Sequence, residues 1–292
     1  MDPLFLAPPR PYSAYAPIRK GSIARPRLLD LSTKRTTIAQ RETEIERIAQ
    51  QLARVEGVVS WGRIQNDAWD RHCAFIFRIR SVERIEERAS QIARTSGLDL
   101  EEFVTYTLRR WFCFWGAQVA ELLFLTHPNV IAGPPRDREV DFTIDGVPFD
   151  LKTSEVPNAL AGMLADPIAH ASTVAAWLYR HQSRERRFHL ANRLFLVLHD
   201  PSAPAEAWRL RGNVTALRSS INGFLGRPRY VNLALPDPAG QRRPIVTGVI
   251  VVTAPVLTRQ LGFRFELDRP SLLNPKPVAA PPSDLQLPLP FA

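Results

Sequence analysis

Apolar residues in the first half of the chain recur at helical spacing. Ile38, Ile45, Ile48 and Leu52 are separated by seven, three and four residues, which predicts one amphipathic helix. A second helical run is predicted over residues 67–93. This half of the chain is therefore expected to be mainly helical.

A third helix is predicted from residue 101 to residue 124. Asp99 can cap its first turn, Gly97 suits the end of the preceding helix, and Pro128 stops the chain from continuing as a helix. The second half of this helix is apolar on nearly all sides, so we expect it to be buried. Trp111 and Trp115 are accordingly predicted to be core residues rather than a platform for stacked bases.

After residue 129 the pattern changes to short runs rich in β-forming residues. Strands are predicted over six segments: residues 129–132, 139–144, 147–154, 193–199, 230–235 and 244–253. Helices are predicted between them over residues 167–187 and 205–224. A helix, a hairpin and then strands alternating with helices predict an α/β or α+β fold.

The two ends of the chain are rich in proline. Six of the 26 prolines fall in residues 1–28 and seven in residues 265–292, and the first 35 residues carry a net charge of +5. Such an arm either lies along a phosphate backbone, remains a solvated tail, or is ordered on its own domain. We predict four segments: an arm at 1–35, a helical domain at 36–98, a core at 99–268 and a tail at 269–292.

The formal net charge of +9 favours an anionic partner, nucleic acid above all. Apolar runs are too short or too polar for a membrane helix, and the first residues lack the pattern of a signal peptide. Cys73 and Cys113 show no spacing typical of a zinc site or a disulfide framework. We therefore expect a cytoplasmic protein with no membrane association.

Lysine is scarce in this sequence. There are 34 arginines but four lysines, and between residues 35 and 275 the one lysine is Lys152. Arginine is a rigid fork that stays protonated, whereas lysine is a compact charge that can lose its proton beside another cation. A position that keeps lysine here is a candidate for chemistry that arginine cannot perform.

Lys152 lies in a predicted hairpin, residues 139–154. Its two alternating runs are joined by Asp145-Gly146, the dipeptide favoured in a two-residue type I′ turn. This turn sets the register, with Phe142 opposite Phe149, Asp141 opposite Asp150 and Glu139 opposite Lys152. Because side chains alternate between faces, the apolar residues line one face and these charged residues share the other.

Two carboxylates that face each other across a hairpin repel, and a bound cation would stabilise the pair. Hard oxygen ligands suit Mg²⁺ or Mn²⁺, which bind through one or two carboxylates and keep water molecules for a phosphate substrate. A lysine next to that metal can orient the attacking water or stabilise charge on the phosphate. The alternative is an exposed hairpin face on which Glu139 pairs with Lys152.

The pattern Asp141-x8-Asp150-x-Lys152 resembles the PD-(D/E)XK nuclease superfamily. The resemblance implies a restriction-endonuclease-like mixed sheet flanked by helices, here with an N-terminal helical domain. It also implies that Asp141 and Asp150 bind the metal, with the carbonyl of Leu151 as a further ligand, and that Lys152 serves the water nucleophile. The sequence departs from the superfamily pattern because valine, not proline, precedes Asp141.

The superfamily often places a glutamate of the preceding helix near the metal. Glu121 is the best match, because it is a lone acid in an apolar helical stretch. The alternative is a helix carboxylate paired with one of the many arginines.

Basic and hydroxyl side chains around the hairpin are candidate DNA contacts. Arg136 and Arg138 precede the hairpin and Thr153 and Ser154 follow Lys152. On the next predicted helix, three arginines at helical spacing can grip successive phosphates or form a solvated face: Arg180, Arg184 and Arg187.

These features together predict a magnesium-dependent DNA endonuclease of restriction or phage defence. Cutting both strands needs two sites, so we expect a homodimer or a partner regulatory subunit. Two alternatives remain open: a non-catalytic nucleic-acid-binding or assembly protein on a nuclease-like fold, and the same chemistry on RNA or branched repair intermediates.

Overall fold

The computed structural model describes residues 36–56, 67–134, 137, 140–156, 160, 162–163, 169–181, 191–236 and 240–253. The described residues include six α-helices: α1 (Ile38–Glu56), α2 (Asp67–Asp70), α3 (Val82–Ser96), α4 (Leu100–Leu125), α5 (Ala171–His181) and α6 (Val214–Gly226). They include six strands: β1 (Val130–Ala132), β2 (Phe142–Ile144), β3 (Val147–Glu155), β4 (Arg193–His199), β5 (Val231–Pro236) and β6 (Arg242–Thr253). The described residues also include the 3-10 helices Ala74–Phe77 and Pro204–Arg211.

The described strands form one mixed sheet in the order β1-β2-β3-β4-β6-β5. β1, β2 and β3 are antiparallel neighbours, β3 is parallel to β4, β4 is parallel to β6, and β5 is antiparallel to β6. The predicted α/β or α+β class is confirmed at this level, as a mixed sheet with helices.

Both faces of the sheet carry hydrophobic cores. Leucine residues of β4, such as Leu194 and Leu196, pack with α4 and α6 on one face. Phe195 and Val197 of the same strand point the other way and pack with α5. The alternation along a strand explains the all-apolar sequence of β4, because a strand covered on both faces has no solvent side.

α4 is the central helix of the fold. The carboxylate of Asp99 accepts a hydrogen bond from the amide of Glu102 (2.8 Å), which confirms the predicted cap. Gly97 ends α3 in a left-handed conformation with φ 64°, also as predicted. Trp111 and Trp115 are buried core residues, as their helical spacing indicated.

The predicted helix over residues 67–93 is wrong as a single element. The structure divides it into α2, the 3-10 helix Ala74–Phe77 and α3. The indole N–H groups of Trp111 and Trp115 donate to the backbone carbonyls of Ile79 and Ile76, at 2.7 Å and 3.0 Å. The interruption is therefore held by hydrogen bonds from α4. The predicted helix over residues 205–224 is likewise divided into a 3-10 helix and α6.

Buried side chains of α1 and α3 join those of α4 and the sheet in one cluster, for example Leu52, Ile85 and Phe124. All described residues fall within one compact unit, Met1–Pro255. The predicted boundary near residue 98 stays a prediction. The arm at 1–35 and the tail at 269–292 lie outside the described residues.

In the described part of the chain, none of the helices combines the length and the apolar character that crossing a membrane requires.

Candidate functional site

The β2–β3 hairpin has the predicted turn, and the predicted register holds from the turn to the Phe142–Phe149 pair. Asp145 and Gly146 both have positive φ angles, 49° and 82°, as a type I′ turn requires. Phe142 lies opposite Phe149, and Ile144 opposite Val147. The strand ladder ends at the Phe142–Phe149 pair and does not include the predicted pairing of Asp141 with Asp150.

Asp141 directly precedes Phe142, the first residue of β2, and its side chain caps the edge of β3 at the position where the ladder with β2 stops. Its backbone amide donates to the carbonyl of Phe149 (2.8 Å), and its Oδ2 accepts a hydrogen bond from the amide of Leu151 (2.8 Å). This amide points to the β2 side, because peptide groups alternate along a strand and the amide of Asp150 bonds towards β4. The carboxylate of Asp141 thus stands in for a missing strand partner.

Gly133 allows the chain to approach Asp141 closely. Its amide donates to the carbonyl of Asp141 (2.8 Å). A Cβ atom at this position would lie 2.4 Å from the carbonyl oxygen of Val140, which no side chain tolerates without moving the backbone. The segment after β1 therefore fixes Asp141 through direct backbone contact.

Asp150 is a buried carboxylate, only 4% exposed. Its Oδ1 accepts from the ammonium group of Lys152, and its Oδ2 accepts from Nε of Arg193 (3.0 Å). Asp150 and Lys152 are two residues apart on β3 and share the face covered by α5. The two cations offset the free-energy cost of burying this charge. A buried carboxylate without a partner would strongly destabilise the fold.

Arg193 begins β4 directly beside Asp150 in the parallel register. It is 6% exposed, and its guanidinium carbon lies 5.4 Å from the centre of the Tyr179 ring. Tyr179 donates its hydroxyl to the carbonyl of Ala191 (2.9 Å), and burial raises the pKa of Tyr179 to about 12. Thr247 of β6 donates to the carbonyl of Arg193 (2.8 Å). Arg193 is thus held by the buried carboxylate of Asp150, by the ring of Tyr179 and by a hydrogen bond to its own backbone.

The predicted DNA contacts on β3 lie on opposite faces of the sheet. Thr153 pairs with Leu196 on the α4 face, whereas Ser154 pairs with Val197 on the α5 face beside Lys152. Arg180 is exposed at the end of α5. Four further arginines of the predicted interface lie outside the described residues: Arg136, Arg138, Arg184 and Arg187.

Glu121 is buried on α4, with 8% exposure, and accepts a hydrogen bond from Gln118 (3.4 Å). Phe124, one turn later, stacks on Phe142 with ring centres 4.6 Å apart. α4 therefore covers the face of the hairpin opposite to the side chain of Asp150. The structure does not bring Glu121 to the face that carries Asp150 and Lys152.

The donor chemistry of the hairpin fits a hard cation in part. Asp141, Asp150 and the carbonyl of Leu151 supply oxygen ligands, and Mg²⁺ characteristically uses one or two carboxylates plus substrate phosphate. The described residues contain no group of three or more His, Cys, Asp or Glu side chains that could hold a metal ion. The part-exposed Lys152 holds Oδ1 of Asp150, so a metal at this oxygen competes with Lys152.

The sequence did not indicate Arg193 as a functional residue. The available signal was a charged residue at the start of an otherwise apolar strand, RLFLVLH. Asn192, just before it, was also missed. Its side chain donates to the carbonyl of Pro148 (3.2 Å) and accepts from the amide of Val246 (2.9 Å), so it bridges β3 and β6 below the first residue of β4.

Comparisons with protein-family models, with curated proteins and with solved structures found no match. The assignment of a function therefore depends on the geometry of the hairpin and its neighbours.

Proposed function

We propose that this protein is a metal-dependent endonuclease that hydrolyses phosphodiester bonds of DNA. The observation that carries the proposal is the hydrogen bond that places the carboxylate of Asp141 at Leu151, between the two members of the Asp150–Lys152 pair in the sequence. Carboxylate oxygens bind Mg²⁺ or Mn²⁺ well, and a lysine close to them can assist the attacking water. These are groups that metal-dependent hydrolysis of a phosphodiester uses.

The order of elements supports the proposal. α4, the short strand β1, the β2–β3 hairpin, α5 and the parallel strand β4 follow one another along the chain. This is the order of pieces that the PD-(D/E)XK superfamily shares. A restriction-endonuclease-like core is therefore part of the proposal, as is an N-terminal helical domain.

In this proposal Asp141, Asp150 and the carbonyl of Leu151 hold the cation. A bound Mg²⁺ supplies polarisation of the phosphate and a more acidic water molecule. Lys152 directs its ammonium group at the water or at the developing charge on the phosphate, after it has left Asp150. Arg193 stays on Asp150 throughout. Glu121 is left out of this ligand set because of the face on which it lies.

The substrate follows from charge. A chain with a net charge of +9 attracts a polyanion, and Ser154 and Arg180 lie on β3 and α5 as candidate phosphate contacts. Restriction or phage defence in the cytoplasm is the setting that we propose, with a homodimer or a regulatory subunit to control cutting. RNA and branched repair intermediates are the alternative substrates for the same chemistry.

One observation favours a second function, a non-catalytic nucleic-acid-binding or assembly protein. Both oxygens of Asp150 are engaged by cations, Lys152 on one and Arg193 on the other. Such a network is also what a purely structural buried carboxylate needs.

A plasmid assay separates the two functions. Supercoiled plasmid is incubated with the protein and Mg²⁺ or Mn²⁺, beside Asp150→Asn, Lys152→Met and, as a matched control, Asn232→Ala on the exposed side of β5. We expect nicking by the wild type and the control, and loss of nicking in the two site variants. Binding of DNA without nicking under any metal would favour the non-catalytic function.

A further inference from the structure

The two oxygens of Asp150 have unequal partners. Arg193, which holds Oδ2, has a side chain that is 8% exposed, whereas Lys152, which holds Oδ1, has a side chain that is 34% exposed. Arg193 is fixed further by the ring of Tyr179 and by its own place in the β4 ladder. The ammonium group of Lys152 is carried on a flexible four-carbon chain that is partly exposed to solvent.

We infer that Arg193 is a positioning residue that fixes Asp150 through Oδ2 and leaves Oδ1 to be exchanged between Lys152 and a divalent cation. This inference rests on the proposed function, because the cation is the one proposed at Asp150. It assigns a role to a residue from a different strand, 43 positions away from Asp150.

The physical reason is that the planar guanidinium of Arg193 is buried, whereas the compact ammonium group of Lys152 is partly exposed. Removing either partner leaves the buried carboxylate of Asp150 with less compensation, but the loss should be smaller for Lys152, because solvent screens its part-exposed ammonium group and not the buried guanidinium of Arg193. Lys152 can therefore leave Oδ1 at a lower cost than Arg193 can leave Oδ2. The carboxylate keeps its orientation while its outer partner changes.

Substitution of Arg193 and substitution of Lys152 should also change the metal affinity in opposite directions. If Lys152 competes with the cation, its removal strengthens binding. If Arg193 orients Asp150, its removal weakens binding, even though a positive charge near the metal is lost. A purely electrostatic role for Arg193 predicts the reverse sign.

The test uses the full-length protein without DNA and Mn²⁺ as the probe, followed by calorimetry or by the EPR signal of free Mn²⁺. We expect Lys152→Met to raise Mn²⁺ affinity about fivefold and Arg193→Met to lower it about tenfold. Arg193→Lys keeps the charge and loses the fork, so it should lower affinity by a smaller factor and serves if Arg193→Met does not fold. An unchanged or raised affinity in the folded Arg193 variants would overturn the inference.

A second, metal-free measurement separates this inference from the proposed function. In chelator, Arg193→Met should lower the melting temperature by about 8 °C, and Lys152→Met by about 2 °C or less. Equal losses would overturn the inference, whatever the metal does. If the wild type neither binds Mn²⁺ nor cuts DNA, the proposed function fails, and with it the exchange at Oδ1. Unequal thermal losses would then support Arg193 solely as the fixed partner of Asp150.

Discussion

The carboxylate of Asp141 accepts a hydrogen bond from the backbone amide of Leu151, 2.8 Å away, at the point where β2 no longer accompanies β3. One side chain thereby serves two needs. It satisfies an amide that has lost its strand partner, and it brings a hard anionic oxygen to Leu151, the residue that follows Asp150.

Substitution of Asp141 should separate these two roles. Asp141→Asn keeps an oxygen that can accept from the Leu151 amide, so we expect stability within about 0.5 kcal/mol of wild type and loss of DNA cleavage. Asp141→Ala should lose cleavage and, in addition, about 1–2 kcal/mol of unfolding free energy, because the amide is left unpaired. Urea unfolding and the plasmid assay measure the two effects. An alanine variant as stable as wild type would show that the hydrogen bond is not structural.

Gly133→Ala should disturb the backbone at Asp141 without changing a residue of the hairpin. A Cβ atom 2.4 Å from the carbonyl oxygen of Val140 forces the backbone around Asp141 to move. We expect a loss of about 2 kcal/mol or more in urea unfolding, together with reduced cleavage.

Gly223→Ala is the matched control for this substitution. Gly223 lies inside α6, and a Cβ atom there meets nothing within 4 Å. Alanine should therefore stabilise the protein by about 0.5–1 kcal/mol, since glycine is the poorer helix former. Equal effects at Gly133 and Gly223 would contradict the packing described here.

Tyr179 should make the protein sensitive to alkali. Burial raises its pKa to about 12 in the folded protein, against about 10 when unfolded. Below pH 10 the phenol is neutral in both states and its contribution is intact. As the pH rises from 10 towards 12, the unfolded state loses the proton first, so the free energy of unfolding falls, by about 1.4 kcal/mol at pH 11.

Tyr179→Phe checks this assignment. The variant lacks the hydrogen bond to the carbonyl of Ala191, so at pH 8 it should be about 1 kcal/mol less stable than wild type. It also lacks the titrating hydroxyl, so the difference should shrink and close by about pH 11. Urea midpoints from pH 8 to pH 11 give the comparison, and a constant difference would be inconsistent with a raised pKa.

Cys73 should be unreactive in the native protein. The thiol is fully buried against Thr107, and burial raises its pKa. The thiolate is the reactive form, so a thiol reagent at pH 8 should modify Cys73 only after denaturation. Peptide mapping after a pulse of iodoacetamide, with and without urea, distinguishes the two cases. Rapid native modification at Cys73 would show that this part of the core opens readily.

The local parts of the fold were predictable because their causes are local. Asp145-Gly146 determines a two-residue turn, and this turn alone sets Phe142 opposite Phe149. Asp99 and Gly97 mark helix ends through hydrogen bonds and φ angles within a few residues.

The parts that could not be predicted depend on distant partners. The break after α2 is held by Trp111 and Trp115, which are more than 30 residues away from the carbonyls that they bind. Arg193 reaches Asp150 only because β4 lies beside β3, and this pairing is not encoded in either strand alone. The face of α4 that meets the hairpin, which sets the position of Glu121, depends on the packing of Phe124 on Phe142.

The most direct test of the account compares DNA cleavage by wild type and by Lys152→Arg at saturating Mg²⁺. Arginine keeps the positive charge and its attraction to Asp150, but it is a larger, permanently protonated fork. We expect metal-dependent nicking of plasmid by the wild type and a rate at least about 100-fold lower in the variant. A wild type that does not cut with Mg²⁺ or Mn²⁺, or a variant that cuts as fast as wild type, would contradict it.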